Sequence, residues 1–297
     1  MEGHDTVFVE ETRMPRMIFR RLVRWIELNK CLIRQRNTSM SIEAMLIVFW
    51  WTVGHNSSNR DAGTRFQHNG RTIRKTSRHV PYDLLPLYDD FVKPPRNKIP
   101  TPLTRTGHHW NKLCQFHNVG GAIDGTHVPA FLPPAEKRPY GNGKGIITQN
   151  VLAGCTLDLL FFYVLSGWEG SAHDARVLKY ALEQDRTFPQ RSSTNIYLAN
   201  AGYSLRPGIL VLNKKVRYHL REQALASQQP QTKEELFNLR HAQLRNTIER
   251  LFRVLKKRFR ILDTPPKYSF DLQRKLILVL CALHTFIWIL ANGKEED

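Results

Sequence analysis

Val119–Gly–Gly–Ala–Ile–Asp–Gly–Thr–His127 marks the point where the pattern of the chain changes. Residues 119–123 are a short apolar run that stops at Asp124–Gly125, which predicts a strand followed by a turn and leaves a carboxylate at the strand's end. Beyond it, residues 146–155 and 159–165 read as two more strands, with Leu157–Asp158 as the turn of a hairpin. Helix start signals open 171–182, and 195–199 is another short strand ahead of Gly202. Residues 233–261 are helical until Pro265–Pro266 stops them, and a last helix covers 270–290. Strand, hairpin, helix, strand and helices in that order predict an α/β domain over 118–291, with a central mixed sheet flanked by helices.

Before that point the chain reads as helical and basic. Met17, Ile18, Trp25 and Leu28 recur at helical spacing with arginines between them, and Ser41 stands ahead of the apolar run 44–51 as a helix start. Residues 59–66 and 72–79, separated by Asn69–Gly70, predict a pair of short helices resembling a helix-turn-helix, with Arg74 and Lys75 on the second. The same pattern also fits a helical hairpin that only packs. Residues 1–80 are therefore taken as an all-helical, candidate DNA-binding region. The segment 81–117, rich in proline and charge at its start, is taken as a linker.

Charge narrows the function. Lys and Arg total 44 against 26 Asp and Glu, a net +18 with 41% hydrophobic residues. A folded chain with that excess favours a polyanion, since each phosphate neutralised releases counterions. The four cysteines form no paired spacing, which argues against a disulfide framework. Residues 276–291 are the most apolar stretch, but fall short of the roughly 20 residues of a membrane span, so a buried helix and no membrane partner are expected. His108, His109, Cys114 and His117 lie close together at a spacing that fits no standard zinc pattern.

Metal-assisted phosphodiester cleavage needs several carboxylates gathered at one place, because Mg²⁺ prefers hard oxygen ligands. Asp124 at a strand end and Glu249 on a long helix are candidates. Each has an ordinary reading as well: Asp before Gly is a common turn pair, and Glu249 can pair with Arg245 and Arg253 one turn away. Asp174 can equally cap the helix that follows it. Arg245, Arg253, Lys256 and Lys257 give the long helix a basic face that suits phosphates, a nuclear-import signal or plain solvent.

Several motifs, in order, resemble those of the PIF/Harbinger-type DDE transposases. They are Gly121–Ala–Ile–Asp–Gly–Thr–His127, Gly167–Trp–Glu–Gly–Ser–Ala–His–Asp–Ala–Arg–Val–Leu178, Asn200–Ala–Gly–Tyr203, Val216–Arg–Tyr–His219, Arg245–Asn–Thr–Ile–Glu–Arg250 and Leu283–His284. The resemblance implies a ribonuclease H-like domain and a transposase-derived DNA endonuclease using Mg²⁺ or Mn²⁺. Asp124 and Glu249 would be the first and last catalytic acids, and Asp174 a further metal ligand. The middle acid falls on Asn200, which keeps an oxygen and loses the charge. An acidic residue often found near Thr156 in the family is also missing. The alternative is a domesticated DNA-binding protein without catalysis. The resemblance further implies DNA as partner, a separate Myb/SANT-like protein, and a nuclear location with the cytoplasm as second compartment. It leaves self-association, as a homo-oligomer, open.

Overall fold

The structure, a computed structural model, describes residues 5–32, 40–94, 116, 118–189, 196–213 and 230–293. The His108–His117 group and Val216–His219 lie outside the described residues. The chain divides into two compact units, one of Met1–Val92, His127–Gln149 and Val254–Asp297, the other of Lys93–Thr126 and Asn150–Arg253.

The first unit is mainly helical: α1 (Asp5–Thr12), α2 (Arg16–Leu28), α3 (Ile42–His55), α4 (Asn59–Phe66), α5 (Gly70–Asp83) and α6 (Pro86–Phe91). Local chemistry sets the starts. The Ser41 hydroxyl accepts from the Ala44 amide, and Ser58 and Asp61 form a reciprocal capping box on α4. Asn69 Oδ1 accepts from the Thr72 amide at 2.8 Å to open α5. Helix α5 buries Ile73, Thr76, Ser77 and Val80 and leaves Arg71 and Arg74 in solvent, with Lys75 half-buried.

The proline-rich stretch begins as helix. Helix α5 runs through Pro81 to Asp83, and α6 starts with Pro86 at its first position, where a missing N–H costs nothing. Pro81 forfeits a hydrogen bond only near the helix end, while Val80, Leu84 and Leu87 are buried around it.

The last helix, numbered α9 below (Phe270–Ala291), is long and apolar enough to cross a membrane by length and composition, with 61% of its most apolar window buried. Its covering is that of a core helix: Phe286 meets Phe91 edge-on at 5.0 Å between ring centres. Gln273 closes a two-way amide clasp with the Phe131 backbone, at 2.9 and 2.8 Å.

The second unit carries most of a five-stranded sheet, in the order β3-β2-β1-β4-β5. Its strands are β1 (Val119–Pro129), β2 (Thr148–Cys155), β3 (Phe161–Glu169), β4 (Ile196–Ala199) and β5 (Ile209–Val211). β4 runs parallel to β1, with Ala122 opposite Leu198, and parallel to β5. β2 and β3 are neighbours joined by a short turn, which only an antiparallel pair allows. The sheet is thus mixed. With α7 (Asp174–Gln184) and α8 (Lys233–Arg258) it forms the ribonuclease H-like α/β fold, joined to an N-terminal helical region.

Two expectations are corrected. Asp124–Gly125 makes no turn, because β1 continues to Pro129. A short strand β5 follows Pro207–Gly208, where no strand was expected.

Ile123, Leu152, Tyr197 and Ala199 pack with Val177, Leu178 and Ala181 of α7. β1 and β2 approach so closely at Gly121 that a side-chain carbon there would overlap the Cys155 carbonyl. Backbone cannot yield as a side chain can. Gly121→Ala is expected to destabilise the fold by about 3 kcal/mol, at the upper end of overpacking costs. Urea unfolding checks this, and an unchanged midpoint would contradict it.

Candidate functional site

Strand alternation explains how the acids meet. Ile123 faces α7, so Asp124 must face the other side, toward α8, and Gly125 faces α7 again. The last registered pair is Ala122 with Leu198, so Asn200, two residues on and just past the end of β4, comes level with Asp124 of β1. β4 ends at Ala199 while β1 runs on, so Asp124 sits inside its own strand yet beside its neighbour's end.

Asp124 is buried. Its Oδ1 accepts from the Gly125 amide at 3.0 Å, and its Oδ2 accepts from Arg245 Nη1 at 3.0 Å. Arg245 Nη2 reaches Glu249 Oε1 at 2.6 Å, one turn further along α8. One guanidinium therefore bridges the two acids. On the other side of β1, the carboxylate of Asp174 fills the space that a side chain at position 125 would occupy. Only glycine allows that approach.

The structure overturns the cap reading of Asp174. The cap position of α7 is His173, and no side chain caps the helix. Asp174 Oδ1 accepts instead from Asn150 Nδ2 at 2.7 Å, and the same Asn150 amide donates to the Ala172 carbonyl at 3.0 Å. Asn150 was not singled out in the sequence. Its signal was a pair of amides, Gln149–Asn150, in a strand that is buried along its whole length.

Arg245 thus joins Asp124 to Glu249, Asp174 lies against the neighbouring Gly125, and Asn200 follows the end of β4. Asn200 Oδ1 is turned back on its own loop, accepting from the Ala201 amide at 2.7 Å. Tyr203, from the same Asn–Ala–Gly–Tyr turn, is buried beside Asp124 and Asp174, with its hydroxyl at the Gly125 amide. Burial and the two carboxylates push the phenol strongly upward, and the Gly125 amide opposes the rise.

The electrostatics have one dominant cause. Burial raises the Asp124 carboxyl to about 6, Arg245 and the Gly125 amide oppose the rise, and Asp174 and Glu249 add to it. The sign for stability follows. Between the ordinary 3.8 and about 6, folded protein holds a proton that the unfolded chain releases. Metal-free protein should therefore lose stability as pH rises through that window, by on the order of 1–3 kcal/mol. Urea unfolding in EDTA from pH 4 to 7.5 should show the slope in the native chain and not in Asp124→Asn. Identical pH curves would refute it.

Fit to a divalent cation can be tested on the donors. Among the described residues, no three His, Cys, Asp or Glu side chains are grouped to hold a metal ion as they stand. The guanidinium of Arg245 lies between Asp124 and Glu249. The donor chemistry nevertheless fits a hard cation: three carboxylates, the amide oxygen of Asn200, and the buried Asn150 Oδ1, which has no partner among the described residues.

Helix α8 is fixed against the sheet by polar side chains. Asn238 exchanges hydrogen bonds with the Asn213 backbone at 2.9 and 3.1 Å, and His241 Nε2 lies 2.9 Å from the Leu210 carbonyl oxygen. Burial lowers the His241 pKa, consistent with a neutral ring donating that bond. Of the basic residues, Arg253 and Lys257 are exposed and spaced four apart with Glu249. Lys256 is half-buried, donates to the His127 carbonyl at 2.9 Å, and has its pKa lowered by burial. Arg245 is turned inward to the acids.

The sequence profile described as DDE superfamily endonuclease matches residues 123–285. A domain of unknown function (DUF8040) matches residues 1–83. The human protein named "Putative nuclease HARBI1" is 23% identical over 274 residues, which cover 91% of this chain and 74% of that protein. Its bovine counterpart is 28% identical over 176 residues, 58% of this chain and 46% of that protein. "Protein ALP1-like" of Arabidopsis thaliana is 26% identical over 215 residues, 67% of this chain and 50% of that protein. The matched stretch thus spans about half the length of the bovine and plant relatives. No solved structure matches the chain.

Proposed function

This chain belongs to the DDE superfamily endonuclease family, and on that premise we propose that it is a divalent-metal-dependent endonuclease acting on DNA, weakened by the loss of one acid. The observation that carries the reading is the joining of Asp124 to Glu249 by Arg245, with Asp174 against the neighbouring Gly125. Acids set so near one another repel, and the arrangement gains its value when a cation arrives.

Asp124 and Glu249 would hold the ion, with Asp174 and the Asn200 oxygen in weaker positions. A bound divalent ion supplies charge stabilisation at the phosphate and a more acidic water. The protein's own part is to orient: Asn150 fixes Asp174, and Asn238 and His241 fix the helix that presents Glu249. Arg253, Lys256 and Lys257 on α8, and Arg74 and Lys75 on α5, would neutralise backbone phosphates, in keeping with the net charge of +18.

A second reading, a DNA-binding protein without catalysis, is favoured by Asn200 and by a guanidinium already seated between two acids. Nicking of supercoiled DNA separates the two. Mn²⁺-dependent nicking that EDTA abolishes supports the endonuclease. No nicking by the native chain or by Asn200→Asp, with salt-sensitive DNA binding retained, overturns it in favour of the second reading.

A further inference from the structure

The bridging guanidinium is unusual for a structural arginine. Arg245 donates Nη1 to Asp124 and Nη2 to Glu249, at 3.0 and 2.6 Å, and only 13% of its side chain is exposed. Yet its Nε is buried without a hydrogen-bond partner. A buried arginine that serves only as an anchor has its donors satisfied, since each orphaned donor carries a desolvation cost. Among the described residues, this one is held by the two acids. Glu249 is 45% exposed, so the bridge opens to water on that side. Arg245 and Glu249 are also one turn apart on the same helix, so their bond can persist while Nη1 leaves Asp124.

Resting on the cation-site reading above, we propose that Arg245 is a displaceable internal counter-ion. In the metal-free protein its guanidinium stands in for a metal ion between Asp124 and Glu249, and a divalent cation binds only in competition with it. A single positive charge leaves the three carboxylates under-neutralised, so the arrangement is a resting state. The guanidinium keeps the acids from repelling one another and sets a threshold of cation concentration for loading. Loading moves one side chain and leaves the α8 backbone where Asn238 and His241 hold it.

The prediction has a sign that a structural role would not give. Loss of a purely structural ion pair loosens the site and weakens metal binding. Loss of a competitor strengthens it. Mn²⁺ titrated calorimetrically into the full chain and into Arg245→Gln should show about tenfold tighter binding by the variant, within the usual range of coupling between sites. Arg245→Lys, which keeps the charge but cannot bridge two acids with a planar fork, should fall between them and guards against misfolding of the glutamine variant. Equal or weaker Mn²⁺ binding by both variants, with binding by the native chain intact, overturns the counter-ion role and leaves the cation site standing. No Mn²⁺ binding by the native chain or any variant overturns both.

Discussion

Asp124→Ala is expected to abolish Mn²⁺-dependent nicking, by ~10³-fold or more, the scale seen when one member of a catalytic unit is removed. Asp124 is the one acid that touches the whole arrangement. It bonds Arg245, it precedes the glycine that admits Asp174, and its carboxyl, raised chiefly by burial, is raised further by Asp174 and Glu249. The fold should survive. Arg245 keeps Glu249 as partner, so the loss of Asp124 leaves no buried charge unpaired. The assay is single-turnover nicking of supercoiled DNA, with melting temperature as control. Nicking within about tenfold of the native chain, with an unchanged melting temperature, would mean that the chemistry lies elsewhere.

Asn200→Asp is expected to act in the opposite direction, raising nicking by ~10- to 100-fold. Position 200 follows the end of β4 at the level of Asp124 in β1, so a carboxylate there adds charge where a cation needs it. The same charge should cost stability without metal, since it faces Asp124 across one strand spacing. The variant should therefore melt lower than the native chain in EDTA and gain more on Mn²⁺ addition. Equal nicking rates and equal melting shifts would show that Asn200 lies outside the cation's reach.

Much of the fold was legible because its signals are local. The Ser41 cap, the apolar runs of β1 to β4 and the 3.6-residue pattern of α8 are written in adjacent residues. Features set by distant partners were misread. Asp124–Gly125 has the composition of a turn, and only pairing with a neighbouring strand carries β1 past it. β5 is three residues long and takes its conformation from β4. Pro81 reads as a helix stop until the core around Val80 and Leu84 is known.

The site divides in the same way. Asp124 and Glu249 were readable from motif and position. Asp174 was ambiguous because an acid at a helix start has the same sequence signal whether it caps or faces a cluster. The structure separates these by giving the cap to His173. Arg245 was undecidable: an arginine on a basic helix looks the same facing phosphate or facing in, and only the fold turns it onto Asp124. Asn150 fixes Asp174 across 24 positions of sequence, a relation that no local pattern carries.

Crystals of the protein soaked in Mn²⁺ and measured at an anomalous wavelength test the central claim most directly. The account predicts one anomalous peak within ligand distance of the Asp124 carboxylate and of Asp174 or Glu249, with the Arg245 guanidinium withdrawn from Asp124. A peak elsewhere, or none while Arg245 still bridges Asp124 and Glu249 at saturating Mn²⁺, would contradict it.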